Sequence, residues 1–462
     1  MQGEIRTNVD GSSWQADRKQ EAGVAGRLRS VVRALGHRNY RLFFFGQSVS
    51  LIGTWMQQTA MIWLVYRLSD SPWMLGLVGF SGQIPAFLLA PLAGVLTDRW
   101  NRHRTLVVTQ TLAMLHAILF VALIGTGVLA VWHLIVLAVA LGMINALDMP
   151  TRQAFVVDMV GGREDLSNAI ALNSVLFNAA RLLGPAAAGF LIGLIGEWMC
   201  MLINGLSYLA VLAALAAMRI EPRGPAGPAG PARPVWSEFR EGLAYAVRFR
   251  PILTLLLLLG LTSFTAMPLT VLMPVFAVEI LRGGPQTLGL LTAAMGAGAL
   301  SGGLMLASRR SVLGLGRVIC IASAAIGVGM IGFALSRSLW LSLSVVAVTG
   351  LAMIVQMAAS NTVLQTIVDE DKRGRVMSFY IMAFMGTAPL GSLLSGALAS
   401  RYGAPIAVAA CGLVSLAGAA VFAYRLPHFR ELVRPVYIRQ GILPEVSSGV
   451  GVTTELTVPP ED

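Results

Sequence analysis

The 462-residue chain is 56% apolar and only 12% charged, carries 49 glycines and has a mean hydropathy of +0.71. A soluble globular chain carries about 25% charged residues, so a soluble enzyme, a disordered chain and a collagen are all excluded. The net charge of +11 does not mark a nucleic-acid binder, because the basic residues sit in short segments between apolar runs; all are Arg except Lys19 and Lys372. Cys200, Cys320 and Cys411 lie in separate apolar runs and make neither a disulfide framework nor a zinc cluster.

Residues 1–40 are polar with mixed charge, and no basic stretch leads into a small-residue cleavage site, so no secretory signal peptide is expected. Within them Arg27, Leu28, Arg29, Val31, Val32, Arg33 and Leu35 read as a basic amphipathic turn on a membrane surface. From Arg41 the apolar runs begin, each near the roughly 20 residues that cross a bilayer. Twelve spans are expected, at 41–66, 73–97, 105–127, 131–149, 167–195, 198–218, 251–276, 286–307, 317–336, 339–359, 376–399 and 403–425. The longest break, 219–250, opens with Pro222, Pro225, Pro228, Pro231 and Pro234 spaced by Gly and Ala, an extended linker, and residues 236–250 then read as an amphipathic helix. The expected domains are a tail over 1–40, a six-helix bundle over 41–218, the linker 219–250, a second six-helix bundle over 251–425 and a polar tail over 426–462 with a disordered end.

Arg usage fixes the expected orientation. The tails, with Arg41 and Arg425 at the span ends that adjoin them, and the loops at 98–104, 150–166, 219–250, 308–317 and 370–375 hold 29 basic residues, whereas the alternate loops hold four, Arg67, Arg282, Arg337 and Arg401. That bias puts both termini and the middle loop in the cytoplasm of a plasma-membrane protein. The halves also repeat weakly. Gln153 to Asp158 with Gly162 and Arg163 parallels Gln365 to Asp369 with Gly374 and Arg375; Gly184-Pro185 parallels Ala388-Pro389; and Arg38 and Arg41 before span 1 parallel Arg248 and Pro251 before span 7. Parallel repeats of six spans place a binding site between the halves near the midplane.

The loop after span 2 reads Gly94-Val-Leu-Thr-Asp98-Arg99-Trp-Asn-Arg102-His-Arg104. Here the chain resembles the major facilitator superfamily, whose signature at this place is Gly-x-Leu-x-Asp-Arg-x-x-Arg-[Arg/Lys]. Asn39-Tyr40-Arg41-Leu, Gly53-Thr54-Trp55-Met56-Gln57-Gln58 and Asp148-x-Pro150-x-Arg152-Gln153 are similar to the group of the enterobactin exporter and transmembrane secretion effector proteins. The resemblance covers all twelve spans and implies an all-α membrane protein of two pseudo-symmetric six-helix bundles. It also implies a cytoplasmic latch in which Gly94 allows close helix approach and Asp98, Arg99 and Arg102 form an ionic cluster. Asp148, near the inner end of span 4, is read as a latch partner within reach of Arg99, Arg102 and Arg104, with a proton carrier and a cap before Pro150 as the other readings; Arg102 is expected to pair with Asp148 or Asp158. The later copy, Gly302-Gly303-Leu-Met-Leu-Ala-Ser308-Arg309-Arg310, has no acid, so any second latch lacks its carboxylate.

Span 5 carries Ser174, Asn178, Arg181, Pro185 and Gly189 on one helical stripe. Gly184-Pro185-x-x-x-Gly189 resembles the span-5 signature of the superfamily's exporters, a helix-distortion element at a mobile contact. An Arg at the depth of Arg181 costs about 2.5–3.5 kcal/mol on insertion scales, so it is expected to face a water-filled cavity and cargo, or else a buried ion pair. In span 1, Gln47, Ser50, Thr54, Gln57 and Gln58 share roughly one face, and in span 10 Thr349, Gln356 and Ser360 do; Gln57, Gln58 and Gln356 are candidate cavity residues against the alternative of helix-helix glue. Met353, Met357 and His116 read as packing residues.

Neither Lys follows a glycine as a phosphate-binding loop of the Walker type requires, and no His-Glu-x-x-His or Gly-x-Ser-x-Gly is present. No enzyme activity, cofactor or metal is therefore expected, and transport energy must come from a gradient. The expected function is secondary active export, as an antiporter coupled to protons, of a small amphipathic molecule such as a siderophore, a drug or another secondary metabolite, by a monomer in the lipid bilayer. An importer of the same fold is the alternative, and a membrane enzyme or lipid-handling protein a more distant one.

Overall fold

The computed structural model describes residues 33–160, 162–219, 235–266, 268–309 and 311–443, and the side chains of Pro91, Gly94, Val95, Asp98, Arg163 and residues 235–239 lie outside the described set. The linker prolines, the amphipathic turn before Arg33 and the end of the C-terminal tail fall outside it as well. Every described regular element is helical. A 3₁₀ turn, Arg33–Gly36, precedes α1 (Arg38–Ser69), α2 (Pro72–Arg99), α3 (Arg102–Gly125), α4 (Val131–Met159), α5 (Arg163–Ile195) and α6 (Glu197–Ala217). The short amphipathic α7 (Val235–Arg248) leads into α8 (Arg250–Ala266), α9 (Leu269–Val275) and a π turn, Phe276–Ile280. Then come α10 (Pro285–Ala307), α11 (Leu315–Leu335), α12 (Leu339–Ile367), α13 (Arg373–Tyr402) and α14 (Ala404–Arg439).

Among the described residues, eleven helical segments are long and apolar enough to cross a membrane, with 250–280 counted as one. Arg38–Ser69 is not among the eleven although it is 32 residues long. Its Gln47, Ser48, Ser50, Thr54, Gln57 and Gln58 dilute the apolar run.

Three helices extend well past their expected ends. The expected span 4 stops at 149, before Pro150, but α4 continues to Met159 with Pro150 inside it. Pro150 forfeits one backbone hydrogen bond, and the helix continues past it packed on its neighbour: Thr151 Oγ1, which bonds the Leu147 carbonyl at 2.6 Å, lies 3.2 Å from Thr97 Oγ1 on α2. Likewise α12 runs eight residues beyond 359, and α14 continues through Pro427 and Pro435 to Arg439, where the polar composition reads as a tail. These ends are helix projecting beyond the apolar run, so hydropathy does not see them.

Within residues 38–217, α1 packs on α6 and α5, α2 on α4, and α3 on α6 and α4; within 250–439, α10 packs on α12, α11 on α14 and α12, and α8 on α13 and α14. Two extensive pairs join these sets, α5 with α10 and α2 with α13, and α9 adds smaller contacts to α1 and α2. Each extensive junction is a glycine meeting a glycine. A Cβ on Gly289 would lie 2.7 Å from the Gly189 Cα, and one on Gly396 would lie 2.8 Å from the Gly76 Cα. Such backbone proximity is the usual device of helix pairs that lack a hydrophobic driving force in lipid.

All four glycines lie toward one end of the molecule. At that end a single core unites both sets of helices, including Leu64, Leu75, Phe120, Met201, Leu272, Phe276 and Phe333. At the other end the cores are separate: Tyr40, Phe43, Leu106, Phe155 and Leu215 in one, Ile252, Leu255, Ile319, Leu364 and Phe422 in the other. The molecule is closed at one end and divided at the other.

Candidate transport site

Where the shared core gives out, a cavity of about 250 Å³ lies between the two sets of helices. Its wall is drawn from α1 (Trp55, Gln58, Thr59, Ile62), α5 (Phe177, Arg181), α8 (Leu259, Thr262, Ser263), α9 (Thr270), α10 (Leu288, Thr292, Met295), α12 (Met353, Ile354, Gln356, Met357) and α13 (Phe384). It is mostly apolar and aromatic with a few polar groups, the usual make-up of a small-molecule site.

Arg181 is held in this wall by its neighbours' lack of bulk. A Cβ on Gly184 would lie 2.5 Å from the Trp55 Cβ, so glycine lets α1 and α5 close together there. The Trp55 ring then sits edge-on to Phe177, with centroids 5.6 Å apart, and 5.8 Å from the Arg181 guanidinium carbon. This cation–π contact is worth about 0.5–2 kcal/mol. From the opposite side α10 approaches so closely that a Cβ on Gly296 would lie 2.8 Å from the Arg181 carbonyl oxygen. Among the described residues no carboxylate lies within ion-pair distance of Arg181.

The other expected cavity residues divide. Gln58 and Gln356 line the cavity. Gln57 does not: it turns toward α6, where its Oε1 accepts a 2.7 Å hydrogen bond from Asn204 Nδ2. Gln57 is turned about 100° from Gln58 around α1, on the side that meets α6 rather than the cavity. Asn178 is absent from the described wall, and its amide bonds the Ser174 carbonyl at 2.8 Å on its own helix. Thr349 bonds the Val345 carbonyl and packs against Gly329 of α11. Met353 and Met357, read from the sequence as packing, line the cavity. His116 bonds the Leu137 carbonyl at 3.0 Å, a packing role. Trp55, Phe177, Thr262, Thr292 and Phe384 are wall residues that the sequence reading missed. Trp55, Gln58, Thr59 and Ile62 follow the i, i+3, i+4, i+7 rule, and that spacing was the available signal.

Pro185 lies inside α5 and Pro389 inside α13, so each junction pair includes a helix with a proline in its interior. Pro185 is beside the contact as well, since its carbonyl oxygen would lie 2.7 Å from a Cβ on Gly289.

At the divided end, Arg102 Nη1 is 3.2 Å from Asp158 Oδ1. Arg99 is exposed, and the side chains of Gly94 and Asp98 lie outside the described residues. Asp148 is 2% exposed and does not meet Arg99, Arg102 or Arg104, its expected partners. Instead it pairs with Arg152 one turn along α4, while Thr109 Oγ1 and Gln110 Nε2 on α3 donate to its Oδ1 at 2.8 and 2.7 Å. The reason is register: Asp148 faces α3, whereas Asp158, about three turns on, faces the arginine at the start of that helix. At the same end α7 is pinned to α13, with Arg375 Nη1 3.0 Å from Glu241 Oε2, and Tyr245 donates to Asp369 Oδ2 at 3.0 Å.

Among the described residues, regular structure that is all helical, with eleven apolar membrane-length segments around a shared cavity, fits a polytopic membrane transporter. Residues 30–442 match the family described as transmembrane secretion effector, and the chain belongs to that family of the major facilitator superfamily. It is 25% identical over 365 residues to the Staphyloferrin A transporter of Staphylococcus aureus, covering 78% of this chain and 90% of that one. It is 27% identical to the multidrug efflux pump Tap of Mycolicibacterium fortuitum, covering 85% and 96%. Its fold is shared with a solved bacterial homologue of the human lysosomal transporter Spinster in an inward-facing conformation, with a TM-score of 0.61, 17% identity and coverage of 87% and 98%. The protein is a multi-pass membrane transporter of small molecules and not an enzyme.

Proposed function

We propose that the protein exports a small amphipathic molecule by alternating access, with twelve membrane spans in two six-helix bundles that rock about the cavity. The observation that carries this reading is the pairing of one shared core at one end with two separate cores at the other, around a cavity that both bundles line. The Arg bias supports placing both termini and the divided end in the cytoplasm of a plasma-membrane protein, so that the structure is inward-facing. Export is supported by the efflux role that the name of the mycobacterial relative states. Arg102 with Asp158, together with Gly94, Asp98 and Arg99, forms the latch that closes the cytoplasmic end when the bundles rock, and Asp148 with Arg152 stiffens α4 behind it. Gly184, Pro185 and Gly189 form the bending element of α5. A proton gradient drives the cycle and the monomer is the working unit.

Site-directed thiol labelling tests the reading. Gln58→Cys in a background lacking Cys200, Cys320 and Cys411 should react with a membrane-impermeant maleimide from the cytoplasmic side in inside-out vesicles. Labelling only from the external side would overturn the orientation.

A further inference from the structure

The polarity of the cavity wall is one-sided. Arg181 brings a positive charge, and among the described wall residues there is no Asp or Glu. The carboxylates of Asp148, Glu197 and Glu279 are each engaged elsewhere, with Arg152, Arg67 and Tyr66. Gln356 is 1% exposed, lines the same cavity, and its Nε2 donor has no hydrogen-bond partner. A buried amide donor left unmade is costly, and an intramembrane cation without a counter-charge is costlier still. Both costs are relieved by one ligand group, an anionic oxygen acceptor. Trp55 offers its ring to the guanidinium, an arrangement that spares the edge N–H groups for a planar, two-oxygen partner.

Resting on the reading of this cavity as the cargo site, we propose that the cargo carries a carboxylate. The guanidinium of Arg181 forks onto it and the Gln356 amide donates to it, while the apolar remainder of the cargo packs against Trp55, Phe177 and Met353. The cavity is thus built against cationic amphipaths, which would meet the Arg181 charge with no acid to offset it.

Equilibrium binding to the full-length protein in nanodiscs tests this with three matched fluorescent probes: N-dansyl-leucine, its methyl ester, and dansyl-cadaverine, a cation. The carboxylate should bind wild type about tenfold or more tighter than the ester. Arg181→Gln should abolish that preference, so that carboxylate and ester bind alike, Arg181→Lys should keep part of it, and Gln356→Leu should weaken the carboxylate more than the ester. A preference for the carboxylate that survives in Arg181→Gln would overturn the proposal, as would tighter binding of the ester or the amine to wild type. A cavity-filling Thr292→Trp separates the two levels. Should ester and amine bind, with no carboxylate preference, and be lost in Thr292→Trp, the anion assignment falls and the cavity stands. Should wild type bind none of the probes, or should Thr292→Trp leave binding untouched, the cavity is not the cargo site and the proposal falls with it.

Discussion

Tyr66, one turn before the end of α1, donates a 2.5 Å hydrogen bond to Glu279 on the π turn that follows α9. The bond ties the two halves of the chain together at the closed end. The π turn matters to it: the extra residue, with the Leu281 N–H bonding the Phe276 carbonyl at 2.9 Å, rotates the helix so that Glu279 meets Tyr66. A hydrogen bond to a charged group is worth about 1.5–3 kcal/mol. Tyr66→Phe should therefore shift the ratio of closed to open states at this end by about tenfold. Pulsed electron resonance between spin labels at Leu68 and Ser400, both exposed, should show a new population at longer distance; an unchanged distribution would contradict the role of the bond.

The glycine junctions make a sharper demand. At Gly289 and Gly396 an added methyl meets backbone rather than flexible side chain, so nothing nearby can yield. Overpacking of this kind costs about 1–3 kcal/mol. Gly289→Val and Gly396→Val should each spread the closed end in the same resonance experiment and lower transport, with normal membrane insertion. Gly374→Val, where a side chain would meet open space, should leave the distance unchanged.

Asp148 and Arg152 form a structural pair within α4. Removing Asp148 strands Arg152, whose side chain keeps 26% exposure, so the cost falls below the about 3–5 kcal/mol of a fully buried pair. Asp148→Ala should lower the thermal midpoint of the purified protein, and it leaves the donors Thr109 and Gln110 without their acceptor. The double variant Asp148→Ala with Arg152→Ala should recover part of that loss, and double-mutant analysis of the melting data measures the coupling. No recovery would mean that Asp148 is held by α3 alone.

The fold was legible because the bilayer enforces it: long apolar runs separated by Arg-rich loops admit few arrangements. The place of Arg181 at the cavity wall was legible for the same reason, since a charge at that depth needs water or a partner. Facing was not legible. Gln57 and Gln58 look alike in the sequence, and only the position of Asn204 on a helix far along the chain decides which of them reaches the cavity. Met353 and Met357 sit on a face that packs and lines at once. The glycine pairs were visible as glycines, but which would meet which depends on how the helices cross. Pro150 read as a stop because propensity favours that, and the packing of α4 against α2 and α3 overrides it.

The proposed export runs through the cavity that holds Arg181. The measurement is uptake of N-dansyl-leucine into inside-out and right-side-out vesicles, with and without a proton uncoupler, for wild type and for Arg181→Gln. Accumulation in inside-out vesicles alone, collapsed by the uncoupler and lost in a well-inserted Arg181→Gln, is the predicted result. Accumulation in right-side-out vesicles, or wild-type rates from Arg181→Gln, would contradict it.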